Sequence, residues 1–204
     1  MRINKKRFIY LISPNNIYPK FYQDLKEVLN TEKVSIFQMR LKKYSFNQKI
    51  FIGKKIIQIC KKRGVKFLVN DDPVLSKKLN ADGCHLGQKD MNISKSRKIV
   101  GNKIIGITCH NSIKLAKAAI KEKASYIAFG SFFSTTTKKV RFKATTKILK
   151  KAKKLTKTTI VAIGGININN YKKLLLNKAN LLAISGYVWN NKKYKPLEAI
   201  KKLK

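Results

Sequence analysis

Small clusters of cationic, acidic, hydroxyl and glycine residues follow apolar, β-branched runs along this 204-residue sequence. Residues of these types bind phosphate groups and divalent cations. If the runs are parallel strands of a closed barrel, their C-terminal ends face one mouth and the clusters converge on one pocket. We therefore predict an enzyme. The clusters are Gln38, Arg40 and Lys42 after VSIF, Asn70 and Asp71 after FLV, Gln88 and Asp90 after GCHLG, Thr108 after KIIGI, 135–138 after YIAFGSFF, Gly164 and Gly165 after TIVAI, and Ser185 and Gly186 after LLAI.

The first cluster has the chemistry of a diphosphate site. Gln38, Arg40 and Lys42 share parity, so on a strand they would line one face and point together into the mouth. Arg40 offers a planar fork for phosphate oxygens and Lys42 a point charge. A basic strand end is an alternative interpretation for Lys42 in a chain so rich in lysine. Arginine is scarce here, which favours a specific role for Arg40.

Asp71 and Asp90 are the candidate metal ligands. The chain has nine acidic residues, and four of them, Asp71, Asp72, Asp82 and Asp90, lie within one short span. Adjacent parallel strands can bring Asp71 and Asp90 together, and Mg²⁺ is typically held by one or two carboxylates plus substrate phosphates. The alternative is that each aspartate caps the helix that follows it. From these residues alone, both interpretations stay open.

A second anion site is predicted at the later strands. We expect residues 135–138 to form a loop of hydroxyl and ammonium groups, and Gly164, Gly165, Ser185 and Gly186 come at the ends of the seventh and eighth predicted strands. Loops at these positions of a barrel frequently bind phosphate through backbone N–H groups. With a diphosphate and Mg²⁺ on one side and a monophosphate on the other, the sequence predicts two phosphorylated substrates joined by displacement of diphosphate.

The elements that must position these residues alternate between strand and helix. Helical spacing separates most strands, and Asp72 and Pro73 predict the N-cap and first residue of a brief helix. We expect a single (β/α)8 TIM barrel with short crossover helices, spanning 1–204 as one domain; an open doubly wound sheet is the alternative. The predicted strands are 7–13, 34–40, 66–70, 83–87, 103–109, 126–133, 159–166 and 181–188.

The formal net charge of +38 suggests nucleic-acid binding, but the distribution of charge argues against it. Six of the 47 basic residues are arginine, and the lysines are spread over the whole chain instead of forming one stripe. The positive field should instead attract phosphorylated small molecules. We expect no nucleic-acid partner, no membrane segment and a cytoplasmic location, and we leave open whether the protein is a homo-oligomer.

Cysteine and histidine do not indicate a zinc site. Cys60, Cys84 and Cys109 show no C-x-x-C spacing. In Cys84-His85 and Cys109-His110 the two side chains would point to opposite faces of a strand. We expect buried thiols and a structural His85.

Read together, the clusters resemble the thiamine phosphate synthase family, with motifs in its order and spacing over nearly the whole chain. The resemblance implies a (β/α)8 barrel that joins the diphosphate of 4-amino-5-hydroxymethyl-2-methylpyrimidine to a thiazole phosphate, with Mg²⁺, by a dissociative displacement. The related thiazole tautomerase and a non-catalytic phosphate- or nucleic-acid-binding protein are the alternatives. The motifs are QMRLK (38–42), VNDD (69–72), ADGCHLGQKD (81–90), IIGITCH (104–110), SYIAFGSFFSTTTK (125–138), VAIGGI (161–166) and AISGYVW (183–189).

The resemblance also implies which residues bind each group. Mg²⁺ falls on Asp71 and Asp90, and Asp90 favours the synthase over the tautomerase. Arg40, Lys42, Asn70, Thr108 and Lys138 would be catalytic. The pyrimidine diphosphate would contact these same five residues together with Gln38, Met39 and Leu41. The thiazole phosphate would contact Thr135, Thr136, Thr137, Gly165, Ile184 and Ser185. The sequence departs from the family at Ser13-Pro14, to which we assign no chemistry, and after Lys138, where a common glycine is missing.

Overall fold

The computed structural model describes residues 7–135 and 140–204, along which strands and helices alternate. The strands are β1 (Ile9–Ile12), β2 (Val34–Met39), β3 (Lys66–Asn70), β4 (Gly83–Leu86), β5 (Ile104–His110), β6 (Tyr126–Phe129), β7 (Thr159–Ile163) and β8 (Leu181–Ile184). The helices are α1 (Phe21–Leu29), α2 (Phe46–Lys62), α3 (Pro73–Lys78), α4 (Ile93–Val100), α5 (Ile113–Lys121), α6 (Thr146–Leu155), α7 (Tyr171–Leu176), α8 (Gly186–Trp189) and α9 (Pro196–Lys202).

The strands form a closed parallel barrel. Each strand pairs with its neighbours in sequence, and β8 pairs with β1 to close the ring. Parallel strands joined through helices place every C-terminal strand end at the same mouth. The predicted (β/α)8 barrel is confirmed, and the open doubly wound sheet is excluded.

Both faces of the strands are buried. Inside the barrel lies an apolar cluster that includes Tyr10, Ile36, Leu68, Tyr126 and Val161. The opposite faces of the strands pack against the helices in a second, larger cluster. Strands buried on both faces need nearly continuous apolar sequence, which explains the β-branched runs.

Local capping signals set the helix boundaries near the mouth. Ser45 and Gln48 form a reciprocal capping box at the start of α2. The Asp72 side chain accepts a hydrogen bond from the Leu75 N–H, with Pro73 as the first helical residue of α3. The prediction for Asp72 and Pro73 is confirmed. The helices in the described ranges lack the combination of length and apolar character that a membrane span needs.

Three predicted strands are too long by three or four residues at their C-terminal ends. The chain leaves the sheet before 130–133, 164–166 and 185–188, and α8 occupies most of the last segment. Gly164 has φ of 109°, which a strand cannot accommodate. A short apolar run such as the one in AISGYVW fits a strand and a buried helix equally well, so periodicity could not place its end.

Candidate active site

The C-terminal ends of β2 and β3 bring two predicted ligands together. Gln38 is buried, and its Nε2 donates a hydrogen bond to Asn70 Oδ1 at 3.1 Å. The two amides hold each other at the mouth, where their remaining donors and acceptors can face a polar substrate. This contact fits the prediction that both residues bind the same molecule.

Arg40 and Lys42 lie beyond the end of β2, so the prediction that they share a strand face with Gln38 is wrong. β2 ends at Met39. The loop still fixes Arg40: its backbone N–H donates to Ser13 Oγ at 2.9 Å, and its Nη1 donates to Asn15 Oδ1 at 3.3 Å. Burial lowers the pKa of Arg40, and nearby Asp71 opposes that shift. The guanidinium is therefore a partly desolvated cation, which strengthens its attraction to phosphate.

Asp71 and Asp90 face each other across the ends of β3 and β4. Their carboxyl groups lie close enough for each to shift the pKa of the other. Lys42 Nζ lies 2.9 Å from Asp71 Oδ2, and the Gly87 N–H donates to Asp90 Oδ2 at 2.6 Å. Asp71 has φ of 64°, and its N–H donates to the His85 carbonyl at 2.7 Å. The predicted proximity of the two aspartates is confirmed.

The two carboxyl groups divide into an acidic and a less acidic partner. Burial would raise the pKa of Asp71, but the hydrogen bonds and charge around it, chiefly from Lys42, hold that pKa below its ordinary value. Burial and the contact with Asp71 raise the pKa of Asp90. Two carboxylates this close repel each other unless a cation lies between or beside them. The Lys42 ammonium, which pairs with Asp71, supplies part of that positive charge.

Thr108 lies on β5 and is held through both its side chain and its carbonyl. His85 Nε2 lies 2.9 Å from Thr108 Oγ1, and Gln88 Nε2 donates to the Thr108 carbonyl at 2.5 Å. The register between β5 and β6 shifts between Thr108 and His110. Such an irregularity reorients a side chain at the rim of a barrel.

The predicted monophosphate site lies where the loops after β6 and β7 meet. Gly165 has φ of 61°, and a Cβ there would lie 2.2 Å from the Ser134 carbonyl oxygen, so only glycine fits. Thr135 follows in the same loop. Thr136, Thr137 and Lys138 lie outside the described residues. Ile184 ends β8, and the Ser185 hydroxyl donates to the Ser13 carbonyl at 3.1 Å.

Met39 and Leu41 occupy a different environment from the other predicted ligands. Their side chains are buried in the layer between the barrel and its helices. A contact with substrate would therefore come from their main chain. Beside them is a cavity of about 490 Å³ that reaches the mouth at Lys42 and Asp71, with Val74 and Met91 also in its lining.

Ser13 joins the two sides of the mouth, a role that no sequence pattern indicates. This buried residue accepts the Arg40 N–H at its hydroxyl and the Ser185 hydroxyl at its carbonyl. Its own N–H donates to the Gln38 carbonyl at 2.9 Å. A serine at the end of β1 was visible, but a contact spanning 172 positions to Ser185 was not.

Replacing Ser13 with alanine should weaken the hold on Arg40. The Arg40 N–H would lose its partner, at a cost of about 1–3 kcal/mol if it stays unpaired. We expect thermal stability to fall and the KM for the diphosphate substrate to rise, while Ser13→Thr keeps the hydroxyl and restores both. Melting temperature and steady-state kinetics measure this. Equal KM values in Ser13→Ala and Ser13→Thr would contradict the link.

Comparison with known proteins gives the same family for nearly the whole chain. The family model described as thiamine monophosphate synthase matches residues 9–188. The thiamine-phosphate synthase of Pelagibacter ubique is 66% identical over 204 residues, covering 100% of this chain and 98% of the relative. That of Rhodospirillum centenum is 36% identical over 185 residues, covering 90% of this chain and 89% of the relative.

A solved structure agrees. The thiamine phosphate pyrophosphorylase of Pyrococcus furiosus superposes with a TM-score of 0.85 at 28% identity, covering 98% of this chain and 95% of that one. The matches confirm the family, the barrel and the transferase class that the sequence predicts. The chain belongs to the thiamine monophosphate synthase family.

Proposed function

We propose that the chain joins 4-amino-5-hydroxymethyl-2-methylpyrimidine diphosphate to a thiazole phosphate, forming thiamine phosphate and releasing diphosphate. The observation that carries the proposal is the contact of Asp71, Asp90 and Lys42 at the same mouth as Arg40. An acid pair beside two cations suits a metal-bound diphosphate. Family membership and 66% identity to a thiamine-phosphate synthase support the reaction. The proposal takes 1–204 as one catalytic domain.

The residues present fit Mg²⁺. Carboxylate oxygens are ligands that Mg²⁺ prefers, and Mg²⁺ commonly uses one or two of them together with substrate phosphates and water. Asp71 and Asp90 supply two, already in contact. In 7–135 and 140–204, no group of three or more His, Cys, Asp or Glu side chains converges on a metal position. We infer that the diphosphate completes the site, so that metal and substrate bind together.

The proposed mechanism depends on stabilising the leaving group. Bound Mg²⁺ would supply neutralisation of the diphosphate charge. Arg40 and Lys42 neutralise the remaining charge, and the Gln38–Asn70 pair orients the same substrate. Thr108 and Lys138 are proposed as further donors to it. As diphosphate departs, the pyrimidine methylene carbon becomes cationic and the thiazole nitrogen captures it, so no protein nucleophile is needed.

The thiazole phosphate is assigned to the loops after β6, β7 and β8. Gly165 allows backbone to approach closely there, and Thr135, Thr136, Thr137, Ile184 and Ser185 complete the proposed contacts. The formal charge of +38 would draw both anionic substrates to the protein, which gives that charge a use without nucleic acid.

We also propose a cytoplasmic location for the reaction. Cys60, Cys84 and Cys109 are all free and buried. Burial raises the pKa of Cys84 to about 12, which keeps its thiol protonated and unreactive. Unpaired thiols suit a reducing compartment.

Substrate omission and metal removal test the proposed function. With both substrates and Mg²⁺, mass spectrometry should detect thiamine phosphate. Omitting either substrate, or adding EDTA, should abolish the product, and restoring Mg²⁺ should recover it. Isomerisation of a thiazole phosphate without diphosphate release would instead identify a tautomerase, and the proposal would be wrong.

A further inference from the structure

A continuous chain of hydrogen bonds runs from the centre of the barrel to Thr108. The Tyr10 and Tyr126 hydroxyls lie 2.7 Å apart, and the Tyr126 hydroxyl lies 2.8 Å from His85 Nδ1. His85 Nε2 then lies 2.9 Å from Thr108 Oγ1. The chain therefore links buried phenols to a residue assigned above to the diphosphate substrate.

Packing of aromatic side chains fixes the position of the His85 imidazole. Tyr10 and Tyr126 are buried among aliphatic side chains inside the barrel. The His85 ring stacks on Tyr126 with centroids 5.6 Å apart and 10° between planes, and Tyr10 meets Tyr126 edge to face. Gly106 lies between His85 and Tyr126 in strand register, and a Cβ there would be 1.8 Å from Tyr126 Cζ. Because Gly106 has no side chain, the Tyr126 ring can occupy this space.

The number of protons on Tyr10, Tyr126 and His85 determines which group donates in each hydrogen bond. Burial raises the pKa of both Tyr10 and Tyr126, so each phenol keeps its proton. Two hydrogen bonds, Tyr10–Tyr126 and Tyr126–His85, hold two protons. A proton on His85 Nδ1 would be a third, leaving one phenol proton without an acceptor among the described residues of an apolar interior. An unpaired buried donor is costly, so Nδ1 accepts from Tyr126.

We propose that His85 is a positioning residue whose Nε2–H tautomer is set by the Tyr126 hydroxyl. A neutral imidazole that accepts at Nδ1 carries its proton on Nε2 and donates it to Thr108 Oγ1. The Thr108 hydroxyl then keeps its own proton for an oxygen of the diphosphate. The role of Thr108 as donor rests on the proposed function; the tautomer of His85 does not.

The opposite arrangement would give Thr108 a different chemistry. If Thr108 donated to His85, its hydroxyl could only accept from a ligand, and it would not stabilise charge growing on a leaving diphosphate. Donors aimed in advance at developing charge are the ones that lower a barrier. The direction of one hydrogen bond therefore decides whether Thr108 helps the leaving group.

Nitrogen-15 NMR of histidine-labelled protein tests the tautomer directly. The chain has two histidines, so His110→Gln leaves one set of ring signals, that of His85. His110 stacks on Phe142 and has no role in the proposed site. We expect a protonated, pyrrole-type shift at Nε2 and an unprotonated, pyridine-type shift at Nδ1. A proton on Nδ1, alone or together with Nε2, would overturn the proposal.

A matched pair of tyrosine variants separates positioning from a structural effect. Tyr126→Phe removes the donor to Nδ1, so we expect loss of the single tautomer and a fall in kcat of about 10- to 100-fold, with KM less affected. Tyr10→Phe removes a hydroxyl from the same interior but leaves Tyr126 able to donate, so tautomer and kcat should stay near wild type. Equal kinetic effects, or an unchanged tautomer in Tyr126→Phe, would contradict the proposal.

The two proposals fail in distinguishable ways. If the unaltered protein forms no thiamine phosphate but shows the Nε2–H tautomer, the proposed function is wrong and the assignment of His85 stands. If thiamine phosphate forms but the proton lies on Nδ1, the function stands and the positioning role of His85 is wrong.

Discussion

Replacing Asp71 or Asp90 with asparagine is expected to lower Mg²⁺-dependent turnover by at least about 100-fold, since a bound metal contributes several kcal/mol of charge stabilisation. Asparagine keeps the size of each side chain and tolerates the left-handed backbone of Asp71 (φ 64°). It also keeps an oxygen that can accept the Gly87 N–H at position 90. The fold should therefore survive, and the lost charge should account for the effect. Turnover against Mg²⁺ concentration is the measurement.

Asp72→Ala is the matched control for these variants. Asp72 neighbours Asp71 and carries the same charge, but its carboxylate caps α3 through the Leu75 N–H at 2.8 Å. Its removal should cost about 1 kcal/mol of stability and leave the Mg²⁺ dependence unchanged. Asp71→Asn with wild-type Mg²⁺ dependence would show that Asp71 does not hold the metal. Asp72→Ala as inactive as Asp71→Asn would show that the loss of activity is not specific to Asp71.

Gly106→Ala is expected to destabilise the barrel and inactivate it together. The added Cβ would lie 1.8 Å from Tyr126 Cζ and 2.2 Å from Cε1, in a fully buried interior. Overpacking of this kind costs about 1–3 kcal/mol or more, because the ring must move. A displaced Tyr126 also releases His85, so turnover should fall further than the folded fraction explains. Denaturant unfolding and kinetics on the folded protein check both parts.

Gly101→Ala provides the comparison. Gly101 has φ of 62° and open space around it, so alanine there meets backbone strain and no clash, at about 1–2 kcal/mol. It should leave activity intact. In the double variant Gly106→Ala, Tyr126→Leu, removal of the ring should restore part of the stability but none of the activity. Additive stability losses in that double variant would contradict a steric conflict between the two positions.

The barrel was predictable because strands buried on both faces leave a simple signal. Runs such as IVAI (160–163) and LLAI (181–184) are apolar throughout, and helical spacing between such runs implies parallel strands. Ends of strands were less predictable. After Ile184 and Ser185 the chain continues as GYVW, which could extend the strand or form a helix. Tertiary packing decides between the two, and the segment folds as α8.

Contacts within the site were predictable where the residues come from one loop or from two adjacent strands. Asp71 and Asp90 follow β3 and β4, whose pairing brings them into contact. Contacts across the barrel were not predictable. The interior chain needs Tyr10, His85 and Tyr126, which are separated by up to 116 positions and read as ordinary strand residues. The sequence led us to expect a structural His85, whereas its hydrogen bond to Thr108 gives that residue the positioning role proposed above.

The most direct test of the account is the ratio of diphosphate released to thiamine phosphate formed in one reaction mixture. We predict equal amounts, formed at the same rate, with both substrates and Mg²⁺ present and neither product formed when one substrate is left out. Release of diphosphate without a thiazole phosphate, or in clear excess over thiamine phosphate, would show hydrolysis in place of transfer and would contradict the account.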